Sequence, residues 1–118
     1  PFPYRMECCG AYLISSAPDA VLESSGAILE AAAERNIQAL VVSCPLCHHN
    51  LEWAQGELYE RGAGVTAIPI LYITQVLGLA MGLTAESLRF DLNSVTVEGL
   101  LASLEREEAP VVGQGVDS

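Results

Sequence analysis

Every cysteine of this 118-residue chain falls in one of two short clusters, Cys8-Cys9-Gly10 and Cys44-Pro45-Leu46-Cys47. The second cluster constrains the fold most, because two opposite patterns meet there. Ahead of it runs Gln38-Ala39-Leu40-Val41-Val42-Ser43, short, β-branched and almost continuously apolar, which suits a strand covered on both faces in a parallel sheet. Behind it, His48 to Arg61 carries Leu51, Ala54 and Leu58 at helical spacing. Pro45 belongs in a first helical turn, where its missing N–H has no partner to lose. Cys44 and Cys47 are therefore expected where a strand's carboxyl end meets a helix's amino end. Open α/β sheets gather their ligands at such ends, and the free N–H groups of the helix favour anionic sulfur.

The remaining elements alternate in the same way. Ser16-Ala17-Pro18-Asp19 reads as a helix start with Ser16 as cap, and Val21, Leu22, Ile28, Leu29, Ala32 and Ala33 make one stripe of a helix over 18–35. Asn36 stops it. After the breaker Gly62-Ala63-Gly64, Val65 to Pro69 reads as a second strand and Leu71 to Met81 as a buried helix. A last helix covers Val97 to Glu107 with Leu100, Leu101 and Leu104 inward, and Glu105 to Glu108 as its solvated end. The order predicts an α/β fold, a small parallel sheet flanked by helices. It gives one domain over 1–108 and a frayed, flexible tail over 109–118. Two strands make a poor sheet, and the start at Pro1 without an initiator Met reads as a segment of a longer chain. A partner strand from elsewhere, or a homodimer paired by edge or swapped strand, is expected.

Charge removes whole classes of partner. Asp and Glu number 15 against 5 Lys and Arg, a net charge of −10. Nucleic-acid binding needs a basic face to displace counterions, so no nucleic acid is expected, and anionic lipid is disfavoured for the same reason. The start lacks the basic flank and apolar run of a secretory signal. The interrupted apolar stretch from Ile68 to Leu83 is short of the ~20 residues that a membrane span requires.

Cys-x-x-Cys brings two sulfurs within reach of one metal or of each other. Adjacent Cys8 and Cys9 rarely bond to each other, and they form a poor claw for one tetrahedral ion. They suit an iron–sulfur cluster better, because its metal atoms are spread over a few ångströms. Gly10 lets the backbone turn sharply or approach a bulky group closely. Two other readings stay open: a structural zinc module that docks a partner, and thiol–disulfide exchange through Cys44 and Cys47 alone. His48 and His49 can ligate metal or donate protons to a leaving thiolate, or form a helix-surface pair beside Asn50. Trp53 reads as packing, Glu7 as an exposed carboxylate, and Gln75 in its apolar helix needs a buried partner.

Met6-Glu7-Cys8-Cys9-Gly10-Ala11, with Val41-Val42-Ser43-Cys44-Pro45-Leu46-Cys47-His48-His49-Asn50-Leu51, resembles the cysteine-rich CCG domain of the B subunit of heterodisulfide reductase. The stretch Ile70 to Leu83 extends the likeness, which covers roughly residues 3–84. Related domains occur in iron–sulfur subunits of glycolate oxidase, anaerobic glycerol-3-phosphate dehydrogenase and some quinone reductases. The resemblance implies the C-terminal of two copies, an incomplete CCG domain lacking its first strand. It implies a non-cubane [4Fe–4S] cluster held by Cys8, Cys9, Cys44 and Cys47 plus a fifth thiolate. No cysteine precedes Cys8 here, so that fifth ligand is missing from this sequence. The implied chemistry is reductive cleavage of a disulfide, that of coenzyme M and coenzyme B or an analogue, in two one-electron steps. Partner iron–sulfur and flavin subunits would supply the electrons, in an anaerobic cytoplasm. Cys8, Cys9, Cys44 and Cys47 would act through the cluster, with His48 as a proton donor.

Overall fold

The computed structural model describes residues 1–108. Its elements are α1 (Pro18–Glu34), β1 (Leu40–Val42), α2 (Pro45–Glu60), β2 (Ile70–Tyr72), α3 (Ile73–Ala80) and α4 (Glu98–Glu108), with 3-10 turns at Ala11–Leu13 and Phe90–Leu92. The fold is α/β. β1 and β2 pair in parallel, Leu40 opposite Ile70 and Val42 opposite Tyr72, with α2 as the crossover. Pro18 and Pro45 each open their helix as the sequence predicts. α1 ends as expected: Asn36 turns left-handed at φ 52, and the Ile37 N–H reaches back to the Ala32 carbonyl at 3.1 Å, a Schellman closure.

The main core lies between α1, α2 and the sheet, where Leu29, Ala32, Leu40, Leu51, Ala54 and Ile70 pack together with Cys9 among them. Trp53 packs against this core, half-buried. A smaller cluster of Leu71, Phe90 and Val97 gathers α3 and α4 against the sheet's other side.

Four expectations need correction. Ser16 does not cap α1; Ala17 holds that position without a side-chain bond, and the Ser16 hydroxyl donates to the Leu13 carbonyl instead. The second strand is Ile70–Tyr72, not Val65 to Pro69. Pro69 has no N–H to place in a ladder, and only its carbonyl is used, by the Leu40 N–H at 2.9 Å. α3 is therefore shorter than 71–81, and it is not buried. Gln75 and Gly78 face inward, while Ile73, Leu77 and Met81 form a stripe that is 50–71% exposed. Leu104 of α4 is 40% exposed, so only Leu100 and Leu101 pack inward. The tail expected over 109–118 lies outside the described residues.

A parallel ladder uses every second residue of each strand on one side. Leu71 thus faces β1, and Ile68, Ile70 and Tyr72 present their backbone groups outward. Side-chain amides meet them there. Gln55 takes the Ile68 N–H at 2.7 Å and donates to the Ile68 carbonyl at 3.0 Å. Asn93 donates to the Ile70 carbonyl at 2.7 Å, and Gln75 accepts from the Tyr72 N–H at 3.0 Å. The outer edge of β2 is sealed without a strand. By the same register the N–H and C=O of Val41 point away from β2, on the free edge of β1, where no strand pairs among the described residues. None of the described helices is long and apolar enough to cross a membrane.

Gln55→Ala would leave both backbone groups of buried Ile68 unpaired. The expected loss is about 2 kcal/mol of unfolding free energy, read by urea titration on Trp53 fluorescence. A loss under a few tenths would show that water replaces the amide.

Candidate functional site

Cys44 ends the strand segment with extended backbone and occupies the N-cap of α2. The N–H groups of Cys47, and after it Leu46, hold its thiol below the ordinary value by favouring the thiolate. Cys47, one turn on, is half-buried. Burial first, and then the neighbouring Cys9 thiol, push it up to about 12. The pair is thus asymmetric: an exposed sulfur disposed to ionise beside a sheltered one that stays protonated.

The first cluster comes to the same place. Cys9 is buried and its sulfur lies 3.4 Å from that of Cys47. Gly10 makes this approach possible by turning the chain at φ +79, where any side chain would be strained, and its carbonyl then opens the Ala11–Leu13 turn. Cys8 is exposed, its sulfur accepting the Gly10 N–H at 3.4 Å. Three of the four cysteines, Cys9, Cys44 and Cys47, line one cavity of about 460 Å³ along the free edge of β1, with Phe2, Glu7 and Val41 among its walls. Cys8 is not among the lining residues. All four cysteines are free thiols. Among the described residues no three His, Cys, Asp or Glu side chains are grouped to hold a single metal ion.

His48 is not part of a surface pair. It is buried, while His49 beside it is exposed. The His48 ring stacks on Tyr72 with centroids 4.2 Å apart and planes 5° from parallel. Its Nε2 lies 3.3 Å from the Asn93 amide nitrogen, and that amide is oriented by Ile70 and by the Gln75 Nε2 donating to its oxygen at 3.1 Å. The Asn93 nitrogen can only donate, so Nε2 accepts where this contact is a hydrogen bond, and Nδ1 lies 3.7 Å from Glu52. Glu52 in turn accepts from the Ser94 N–H and hydroxyl at 2.8 and 2.9 Å. His48 lines a separate cavity of about 420 Å³ with Tyr72, Arg89 and Asn93, and no cysteine lines it.

Sequence reasoning missed Ser25 and Asn50. Both are fully buried, and both donate to the Cys9 carbonyl, at 3.3 and 3.1 Å. Asn50 also donates to the Ser25 hydroxyl at 2.9 Å. A signal existed for Ser25: it interrupts the apolar stripe Val21, Leu22, Ile28, Leu29 on the buried face of α1.

No protein-family model matches the chain. It is 30% identical over 102 residues, 85% of its length, to the B subunit of a ferredoxin:CoB-CoM heterodisulfide reductase from Methanosarcina mazei. It is 28% identical over 102 residues to the B subunit of the ferredoxin/F420H2-dependent enzyme of Methanosarcina acetivorans. It is also 28% identical, over 95 residues and 80% of its length, to the membrane anchor subunit of an 8-methylmenaquinol:fumarate reductase from Wolinella succinogenes. The chain spans 34% of the length of each of these relatives.

Thiolate is the form that alkylates. As pH rises, Cys44 ionises ahead of an ordinary cysteine, and Cys47 does so only near 12. Iodoacetamide at neutral pH is therefore expected to label Cys44 at least about tenfold faster than Cys47, by peptide mass mapping, and urea should erase the difference. Equal labelling of the folded chain would contradict the assigned environments.

Proposed function

We infer that this chain is part of a heterodisulfide reductase-type B subunit, a CCG domain whose thiolates hold an iron–sulfur group used in reductive disulfide cleavage. The observation that carries the reading is the meeting of both cysteine clusters on one cavity, with the Cys9 and Cys47 sulfurs 3.4 Å apart. The similarity to two heterodisulfide reductase B subunits over 85% of the chain supports it.

The donor set fits such a group. Its sulfurs are soft and free of disulfides, and they come from a loop and from the start of α2, a spread that suits a group of several metal atoms. Cys8, Cys9, Cys44 and Cys47 would hold it, Gly10 would allow its close approach, and a fifth thiolate would come from outside this sequence. When bound, the group would supply electrons singly to a substrate disulfide. The chain's own residues do the rest. Backbone N–H groups at the start of α2 favour anionic sulfur. The apolar walls of Phe2, Val41 and Leu51 restrict water around Cys9 and Cys47. His48, stacked on Tyr72 and turned to Asn93 and Glu52, orders the carboxyl end of β2 beside a cavity that no cysteine lines. Electron-carrying iron–sulfur and flavin subunits in an anaerobic cytoplasm complete the proposal, and the free edge of β1 is where a second copy or a neighbouring subunit would extend the sheet.

Anaerobic reconstitution with ferrous iron, sulfide and 2-mercaptoethanol, the last standing in for the fifth thiolate, tests this. Iron and acid-labile sulfide should each exceed one atom per chain, with a paramagnetic signal on oxidation. Cys9→Ser and Cys47→Ser should abolish both, and His48→Ala should not. One metal atom per chain without sulfide would establish the zinc module instead, although no single-ion grouping of three donors occurs among the described residues.

The asymmetry of Cys44 and Cys47 favours one further reading, thiol–disulfide exchange with Cys44 attacking and Cys47 resolving. It is separated by Cys8→Ser and Cys9→Ser, which would leave exchange activity intact while removing iron.

A further inference from the structure

We propose that Ser25 and Asn50 are positioning residues that set the Cys9 sulfur against Cys47 by clamping the Cys9 carbonyl. The inference rests on the thiolate-site reading for its chemical meaning, and on hydrogen-bond geometry for its support.

The Cys8-Cys9-Gly10 segment belongs to no helix or strand, so no ladder fixes its place. Two side-chain donors do. The Ser25 hydroxyl comes from α1 and the Asn50 amide from α2, and they converge on one backbone oxygen. Their mutual bond at 2.9 Å closes a triangle that joins loop, α1 and α2. All three corners are dry: Ser25 and Asn50 are 0% exposed and Cys9 is 3% exposed. Hydrogen bonds in such surroundings hold geometry tightly, because water does not compete for the partners.

The choice of oxygen gives the triangle its purpose. It is the carbonyl of the residue whose sulfur faces Cys47. Asn50 lies three residues after Cys47 on the same helix, so α2 carries both the partner sulfur and the group that sets Cys9 relative to it. Cys9 is thus measured off against one rigid element, while Gly10 at φ +79 supplies the bend that the clamp requires. Stability alone does not account for Asn50. Its Oδ1 is buried with no partner among the described residues, a penalty that an apolar side chain of the same shape avoids.

The test reads the sulfur pair directly and needs no metal. In a Cys8→Ser/Cys44→Ser background of the 118-residue chain, only Cys9 and Cys47 remain. Equilibration with a glutathione redox buffer oxidises the two thiols to one S–S bond as glutathione disulfide is split. Its two halves leave as reduced glutathione carrying the thiol protons. The ratio of closed to open chain gives the effective concentration of the pair. Ser25→Ala and Asn50→Ala are each expected to lower it about tenfold, since each removes two buried hydrogen bonds of the triangle. A second background, Cys8→Ser/Cys9→Ser, retains Cys44 and Cys47, both at the start of α2. There Ser25→Ala should leave the effective concentration within about twofold, a selectivity that general loosening of the fold would not produce. An unchanged Cys9–Cys47 value, or an equal fall in both pairs, overturns the proposal. Should Asn50→Ala fail to fold, Ser25→Ala decides alone. Because iron plays no part in this readout, failed reconstitution would count against the proposed function and leave the clamp to be judged on its own result.

Discussion

The parallel pairing of β1 with β2 is the constraint on which the rest of the molecule depends. It is only three residues deep on each strand, too short to persist without support. Its consequence for chemistry is directional. A parallel pair linked by a helix sends both strands toward one end, so α2 starts there and brings Cys44 and Cys47 with it. Everything the thiols can do follows from that placement: exposed sulfur at free N–H groups, sheltered sulfur one turn on, and room beside β1.

What the ladder lacks in length, side-chain amides supply. Gln55, Gln75 and Asn93 stand where a third strand's backbone would be, each donating or accepting as a peptide group does. The same device recurs at the thiols, where Asn50 and Ser25 hold an otherwise unsupported loop. A chain with 51% hydrophobic residues thus assigns its few buried polar side chains to backbone groups that regular structure leaves over. His48 is the exception, since its neighbours are side chains. Wedged between Tyr72 and Asn93 and turned toward Glu52, it links α2 to the segment following β2.

The parts of this arrangement legible in sequence were those written locally. Pro18 and Pro45 mark helix starts because their own backbone admits little else, and Asn36 marks a stop because it tolerates a left-handed turn. The run Leu40–Val42 reads as a strand by its β-branching. The cysteine clusters announce a thiol site by spacing alone. Beyond these, tertiary partners decide. The apolar stretch from Val65 to Leu79 contains no periodicity that separates strand from helix, and the strand falls at Ile70–Tyr72 because the Leu40 to Val42 segment pairs with it there. The outward face of α3 carries Ile73 and Leu77, which hydropathy assigns to a core. Ser25 and Asn50 look like ordinary helix polar residues until the loop that they grip, far away in sequence, is in view.

The unequal edges of the sheet give it a polarity of growth. One border is occupied by three side-chain amides; the other, beside Val41, carries no strand among the described residues. Any strand that lengthens this sheet must therefore arrive next to Cys44 and roof the thiol cavity as it does so. Enlargement of the sheet and enclosure of the sulfur atoms are one event, and whatever chain contributes that strand becomes a wall around the thiols.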